Sequence, residues 1–189
     1  MRPVLASRLR DASVDCRRWQ AARQTDAGGL DAGAGERHRA ELTFDGDKGR
    51  FERALDLVMR YAMFPASWLI PTVCSDDGRL APDVTVVQRV FMGPVGVESG
   101  VRVMDVFDEA GADAGEGRRA GFTCGTLLGH PERGVERFML VLHEGQITFS
   151  LESRSELATW YARLVPPIAR FFQHRAVAAA MRHVEEQSR

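Results

Sequence analysis

Five β-rich runs in close succession, followed by one long helix, leave this chain few ways to fold. Val84–Phe91, Val101–Phe107, Arg119–Leu127, Glu136–His143 and Ile147–Ser153 are rich in branched and aromatic residues and bounded by turn residues. In the fourth run Phe138, Leu140 and Leu142 alternate with Arg137, Met139 and Val141, the period of a strand with two distinct faces. His143-Glu144-Gly145-Gln146 reads as the hairpin turn into the fifth run, and 110–117 (AGADAGEG) as a flexible connection. From Ser155, a reasonable N-cap, the pattern turns helical. Leu157, Trp160, Leu164, Ile168, Phe171 and Phe172 form one stripe, continued by Ala176, Ala179, Ala180 and Val184, with a kink or an interruption expected at Pro166-Pro167. Wrapping the strands around the helix buries that stripe, so the expected class is α+β, an antiparallel sheet around a long C-terminal helix.

The remaining elements fit this frame. Phe51, Leu55, Val58 and Ala62 give one apolar face to a helix over 50–63, which Pro65 is expected to stop. Ala66–Pro71 is a short apolar segment between two prolines, and 37–44 reads as a first strand. Upstream, Val4, Leu5, Leu9, Ala12, Cys16 and Trp19 suggest an amphipathic helix over 3–24, followed by a glycine- and alanine-rich loop over 25–36. The expected organisation is an N-terminal helix and flexible loop over 1–36, then one domain of ligand-binding type over 37–189.

Composition narrows the function. A formal net charge of -1 gives no basic excess for nucleic acid. No run reaches the ~18 apolar residues of a membrane span. Three cysteines at wide spacing, Cys16, Cys74 and Cys124, argue against a disulfide framework and read as reduced thiols of a cytoplasmic protein. There is no phosphate-cradling glycine loop, no nucleophile elbow and no zinc-binding spacing, so neither a metal nor a cofactor is expected.

The element order resembles the helix-grip arrangement of the START and Bet v 1-like superfamily, which implies a hydrophobic cavity between the sheet and the final helix. A more specific resemblance lies in Gly121–Arg137, GFTCGTLLGHPERGVER. It is similar to the signature GFAYGTLPGHPERGEERF of a bacterial and plant family, domain of unknown function nineteen-ninety (DUF1990). Phe51-Glu52-Arg53-Ala54, Met63-Phe64-Pro65, Val101-Arg102-Val103 and the segment Ser153–Gln173 extend the likeness over residues 45–180. The chain departs from the signature at Cys124 (tyrosine), Leu128 (proline) and Val135 (glutamate), and at Glu156, where the family has a proline. These departures imply a diverged bacterial paralogue, expected to serve biosynthesis in specialised metabolism.

Within the signature, His130 titrates near neutrality and could act as general base or acid, oriented by Glu132 or Glu136. Arg137 could hold a carboxylate, enolate or carbonyl with two hydrogen bonds. The structural reading of the same block is a tight glycine–proline loop with a capping histidine and a glutamate–arginine pair. Tyr61, Phe64, Trp68, Trp160 and Phe172 would suit the walls of a pocket for a flat or isoprenoid-like ligand, although aromatics at helical spacing are more often plain core. Arg102, Cys124 and Thr126 are candidate polar lining. An arginine in such a strand, as at Arg102, is more often outward and solvated, and a strand cysteine such as Cys124 more often a small buried hydrophobe.

Three functions follow from these residues. The first is a cofactor-independent enzyme (cyclase, isomerase, dehydratase or hydrolase) acting on a hydrophobic small molecule through His130, Glu136 and Arg137. The second is a non-catalytic protein binding a lipid or polyketide-like ligand in the same cavity. The third is a structural protein with a filled core. A homodimer is compatible with all three.

Overall fold

The computed structural model describes residues 3–25, 29–32, 35–110, 117–158 and 166–189. In chain order the elements are β1 (Val4–Leu5), α1 (Ala6–Arg10), α2 (Cys16–Gln20), α3 (Gly29–Ala32), β2 (Glu36–Asp45) and α4 (Lys48–Met59). β3 (Leu69–Val73), β4 (Thr85–Met92), β5 (Val95–Glu109), β6 (Arg118–Thr126), β7 (Glu132–His143), β8 (Gln146–Leu157) and α5 (Pro166–Gln187) follow. The strands form one antiparallel sheet in the order β2-β8-β7-β6-β5-β4-β3, with β1 pairing β5. The α+β class is therefore as expected.

Strand alternation divides the sheet into two faces. The concave face carries Val86, Val101, Val103, Ala120, Phe122, Phe138, Leu140, Ile147, Phe149 and Leu151. Phe51, Ala54 and Val58 of α4 and Met181 and Val184 of α5 close over it. α4 and α5 are tied at their ends. Arg50 donates from Nη2 to the Glu185 carbonyl at 2.7 Å, and Arg53 from Nε to the Ser188 carbonyl at 2.9 Å. These arginines satisfy carbonyls that the end of α5 leaves open.

The C-terminus of α4 is set by local hydrogen bonding, and the helix ends before Pro65 is reached. Ala62 N–H donates to the Leu57 carbonyl at 2.8 Å and Tyr61 N–H to the Val58 carbonyl at 3.0 Å, the paired bonds of a Schellman cap. The left-handed position of that cap, normally a glycine, is Tyr61 at φ 55°.

The convex face is covered by the N-terminal arm. The expected single helix is two short ones, α1 and α2, and Trp19 is buried against Val87, Leu127 and Cys74. A Cβ at position 100 would lie 2.6 Å from the Trp19 ring, so Gly100 makes its berth. Arginines of the sheet hold the arm by its carbonyls. Arg89 Nη1 donates to Arg10 and Ala12, and Arg102 Nη2 to Gln20 and Ala22 at 2.7 and 3.2 Å. Arg154 Nη1 does the same for Asp31, at 2.9 Å.

Several expectations are corrected. Cys16 and Cys74 are not reduced thiols: they form a disulfide across a separation of 58 residues, Cα to Cα 5.6 Å, clamping α2 to the segment after β3. Wide spacing in sequence hid a close approach in space. Ser155 caps no helix; β8 runs on through it to Leu157. Pro166 and Pro167 are the first described residues of α5, and the residues before them, on which the expected kink or interruption depends, lie outside the described residues. Phe171 is 55% exposed, so the expected stripe does not continue through it. Trp160, Leu164 and the connection 111–116 lie outside the described residues, as do the side chains of Ile168 and Phe172.

Candidate functional site

The concave face is apolar at the α4–α5 end and polar at the other. Polar residues reach it because they occupy inward positions of strands that otherwise carry valine and phenylalanine there. In β4 the inward series is Val86, Gln88, Val90, and in β5 it is Ser99, Val101, Val103. In β7 Glu136 faces inward beside Phe138, paired with Cys124 of β6 and Ser153 of β8. Half of the GHPERG block is thus strand and not loop. Glu132 onward is strand, and a Cβ on Gly134 would meet the Arg154 carbonyl at 2.3 Å, so this glycine lets β7 approach β8.

Gln88 is the hub of the polar end. Its Nε2 donates to the Tyr61 hydroxyl at 2.5 Å, and its Oε1 accepts from Ser99 Oγ at 3.3 Å. His130 Nε2 lies 3.3 Å from the same Oε1. His130 Nδ1 lies 3.1 Å from the backbone N–H of Glu132, which donates to it, and 3.0 Å from the Glu132 carbonyl; with Gln88 Oε1 as the neighbour of Nε2, the ring proton sits on Nε2. Ser155 Oγ donates to Glu132 Oε2 at 2.8 Å. Both nitrogens of His130 are therefore engaged. Burial holds its pKa below the usual 6.5, against the pull of Glu132, so the ring is neutral at neutral pH.

Glu136 is in a different situation. No hydrogen bond reaches its carboxylate among the described residues. Burial, reinforced by the charge of Glu132, pushes its pKa up to about 7. Burial also drives the Tyr61 phenol and the Cys124 thiol well above their ordinary values, with Glu136 contributing to both. Apolar walls enclose these groups. The Tyr61 ring lies 5.8 Å from Phe122, 6.0 Å from Phe138 and 6.3 Å from Phe64, and Phe122 stacks on Phe138 at 4.9 Å. A carboxyl that titrates near neutrality among aromatic rings can give or take a proton from a bound molecule.

The structure therefore brings together His130, Glu136, Tyr61, Phe64 and Cys124. It separates Arg137, whose Nε donates to Thr123 Oγ1 at 3.4 Å on the convex face. Neighbouring strand residues point to opposite faces, so Arg137 cannot act with Glu136 on one ligand. Arg102 is likewise convex and spends its guanidinium on the arm. The Thr126 hydroxyl is taken up by Gly134 N–H at 3.0 Å and Thr25 Oγ1 at 2.6 Å. Trp68 is half-buried just before β3. Trp160 and the side chain of Phe172 lie outside the described residues. Gln88, Ser99 and Ser153 were missed by the sequence reading. The signal for Gln88 was a polar residue at an inward position of a valine-rich strand. Among the described residues no group of three or more His, Cys, Asp or Glu could hold a metal ion. No helix among them is long and apolar enough to cross a membrane.

The sequence matches no functionally curated protein. Solved structures share its fold at low identity. A protein of Thermus thermophilus, TTHA0849, is 13% identical over 81% of this chain and 97% of its own, with a TM-score of 0.54. A hypothetical protein of Helicobacter pylori is 10% identical over 95% and 97%, with a TM-score of 0.56. A looser likeness is to a START superfamily protein of Mycobacterium smegmatis, 12% identical over 79% and 98%, TM-score 0.46. The profile of the domain of unknown function DUF1990 matches residues 18–183, and the chain belongs to that family.

Proposed function

We propose that this protein binds an apolar small molecule at the polar end of its concave face and performs cofactor-independent acid–base chemistry on it. The observation that carries this reading is Glu136, a carboxyl without a hydrogen-bond partner among the described residues, raised to about 7 and set among Tyr61, Phe122 and Phe138. A structural carboxylate in a core is normally paired or hydrogen-bonded. Glu136 is the proton carrier in this scheme. His130 is a neutral positioning residue held between Gln88 and Glu132. Isomerisation, cyclisation and dehydration all suit one carboxyl in an apolar pocket. The ligand-binding reading without turnover shares the same walls.

The test is denaturing mass spectrometry of the protein purified from its native host, joined to turnover assays with the compound found. A recurring apolar compound that the native protein converts and Glu136→Gln binds unchanged supports the enzyme. Binding without conversion by either protein leaves a carrier. No bound compound and no thermal shift with any of a panel of lipids and polyketides would refute both.

A further inference from the structure

Resting on that site, we infer that Tyr61 and Glu136 recognise a carbonyl group, with the Tyr61 hydroxyl donating to the carbonyl oxygen and Glu136 facing the adjacent carbon. The ligand class is an apolar ketone or aldehyde with a hydrogen on that carbon. The argument starts from the direction of the hydrogen bonds. The Gln88 amide turns Nε2 to Tyr61 and Oε1 to Ser99 and His130, so Oε1 accepts from both, and His130 carries its proton on Nε2 while Nδ1 accepts from Glu132 N–H at 3.1 Å, with the Glu132 carbonyl 3.0 Å away. The Gln88 amide then presents its NH₂ to Tyr61, and the phenol oxygen accepts. The phenolic proton is left without an acceptor among the described residues, on a side chain only 1% exposed. A buried donor left unmet is costly unless something else receives its bond.

The backbone points the same way. Tyr61 stands at a helix cap where glycine is the usual residue, at φ 55°. That conformation turns its ring under Gln88 and against the stacked pair Phe122 and Phe138. Ser99 and His130 anchor Gln88, which anchors Tyr61. An aligned chain of this kind polarises the phenol and needs no rearrangement when negative charge develops on a ligand oxygen.

The chemistry balances without a co-reactant. The ionised Glu136 carboxylate takes a proton from the carbon beside the carbonyl. The C–H pair becomes a carbon–carbon double bond, and the carbonyl π pair moves to oxygen as an enolate held by Tyr61. Returning the proton to the same carbon gives exchange. Returning it to a conjugated carbon gives isomerisation.

Two probes of equal shape separate this from the broader proposal: acetonaphthone, which carries a methyl ketone, and ethylnaphthalene, which does not. The native protein should bind acetonaphthone about tenfold more tightly than ethylnaphthalene. Bound acetonaphthone should show its carbonyl stretch at lower wavenumber, and its methyl protons should exchange with deuterium oxide. Tyr61→Phe should equalise the two affinities and remove the carbonyl shift. Gln88→Leu should weaken that shift, and Glu136→Gln should abolish exchange while keeping it. Equal affinities with an unshifted carbonyl in the native protein would overturn the carbonyl assignment and leave the apolar site standing. Failure of both probes to bind would overturn the site and the assignment together.

Discussion

Breaking the Cys16–Cys74 bond should lower the stability of the whole protein by about 4 kcal/mol. The bond joins residues 58 apart. The loop-closure relation for that length gives about 14 cal/mol/K of entropy removed from the unfolded chain, or about 4 kcal/mol at 25 °C. The folded state should change little, because Trp19, Val87 and Leu127 pack around the bond and Arg102 still holds the α2 carbonyls. The loss therefore acts through the unfolded ensemble. Equilibrium urea unfolding with and without reductant measures it, alongside the Cys16→Ser/Cys74→Ser variant. With a urea slope of about 2 kcal/mol/M, the midpoint should fall by about 2 M, equally for reduction and for the double variant. Cys124, buried and unpaired, should be the single thiol titrated in unreduced, denatured protein. Three titratable thiols, or a midpoint unmoved by reduction, would refute the reasoning.

Glu136 should make the protein less stable as pH rises. Its folded pKa of about 7 lies above the 4.5 of the free side chain, so the folded state holds a proton that the unfolded state has released. The penalty is absent below pH 4.5, grows to pH 7 and then levels at on the order of 3 kcal/mol. Glu136→Gln should abolish that slope, as melting temperature against pH will show. Phe138→Ala removes a fully buried ring stacked on Phe122 and should cost about 3–5 kcal/mol in urea unfolding. Gly134→Ala forces a methyl group against the Arg154 carbonyl and should disrupt β7–β8 pairing, seen as faster amide hydrogen exchange in both strands.

Much of the sheet was legible because alternation is a local signal. The strand around Phe138 could be read from its own side chains, and the same alternation places Arg137 opposite Glu136. β3 was obscured by Pro71, which is tolerated because β3 is an edge strand. The strand start at Glu132 was hidden by glycine and proline that resemble a loop, although Gly134 serves close strand contact. Long-range facts left no local trace. The pairing of Cys16 with Cys74 and the capture of arm carbonyls by Arg89 and Arg102 depend on the arm lying across the convex face. His130 drew notice as an acid–base candidate. Its neutral state comes from burial, and the partner of its Nε2 is Gln88, 42 residues away.

Carboxyl-carbon NMR titration of Glu136, with and without acetonaphthone, addresses the site most directly. A midpoint near pH 7 that moves on adding the ketone, and stays in place with ethylnaphthalene, is the expected result. A midpoint near the ordinary 4.5, unmoved by either compound, would contradict the account.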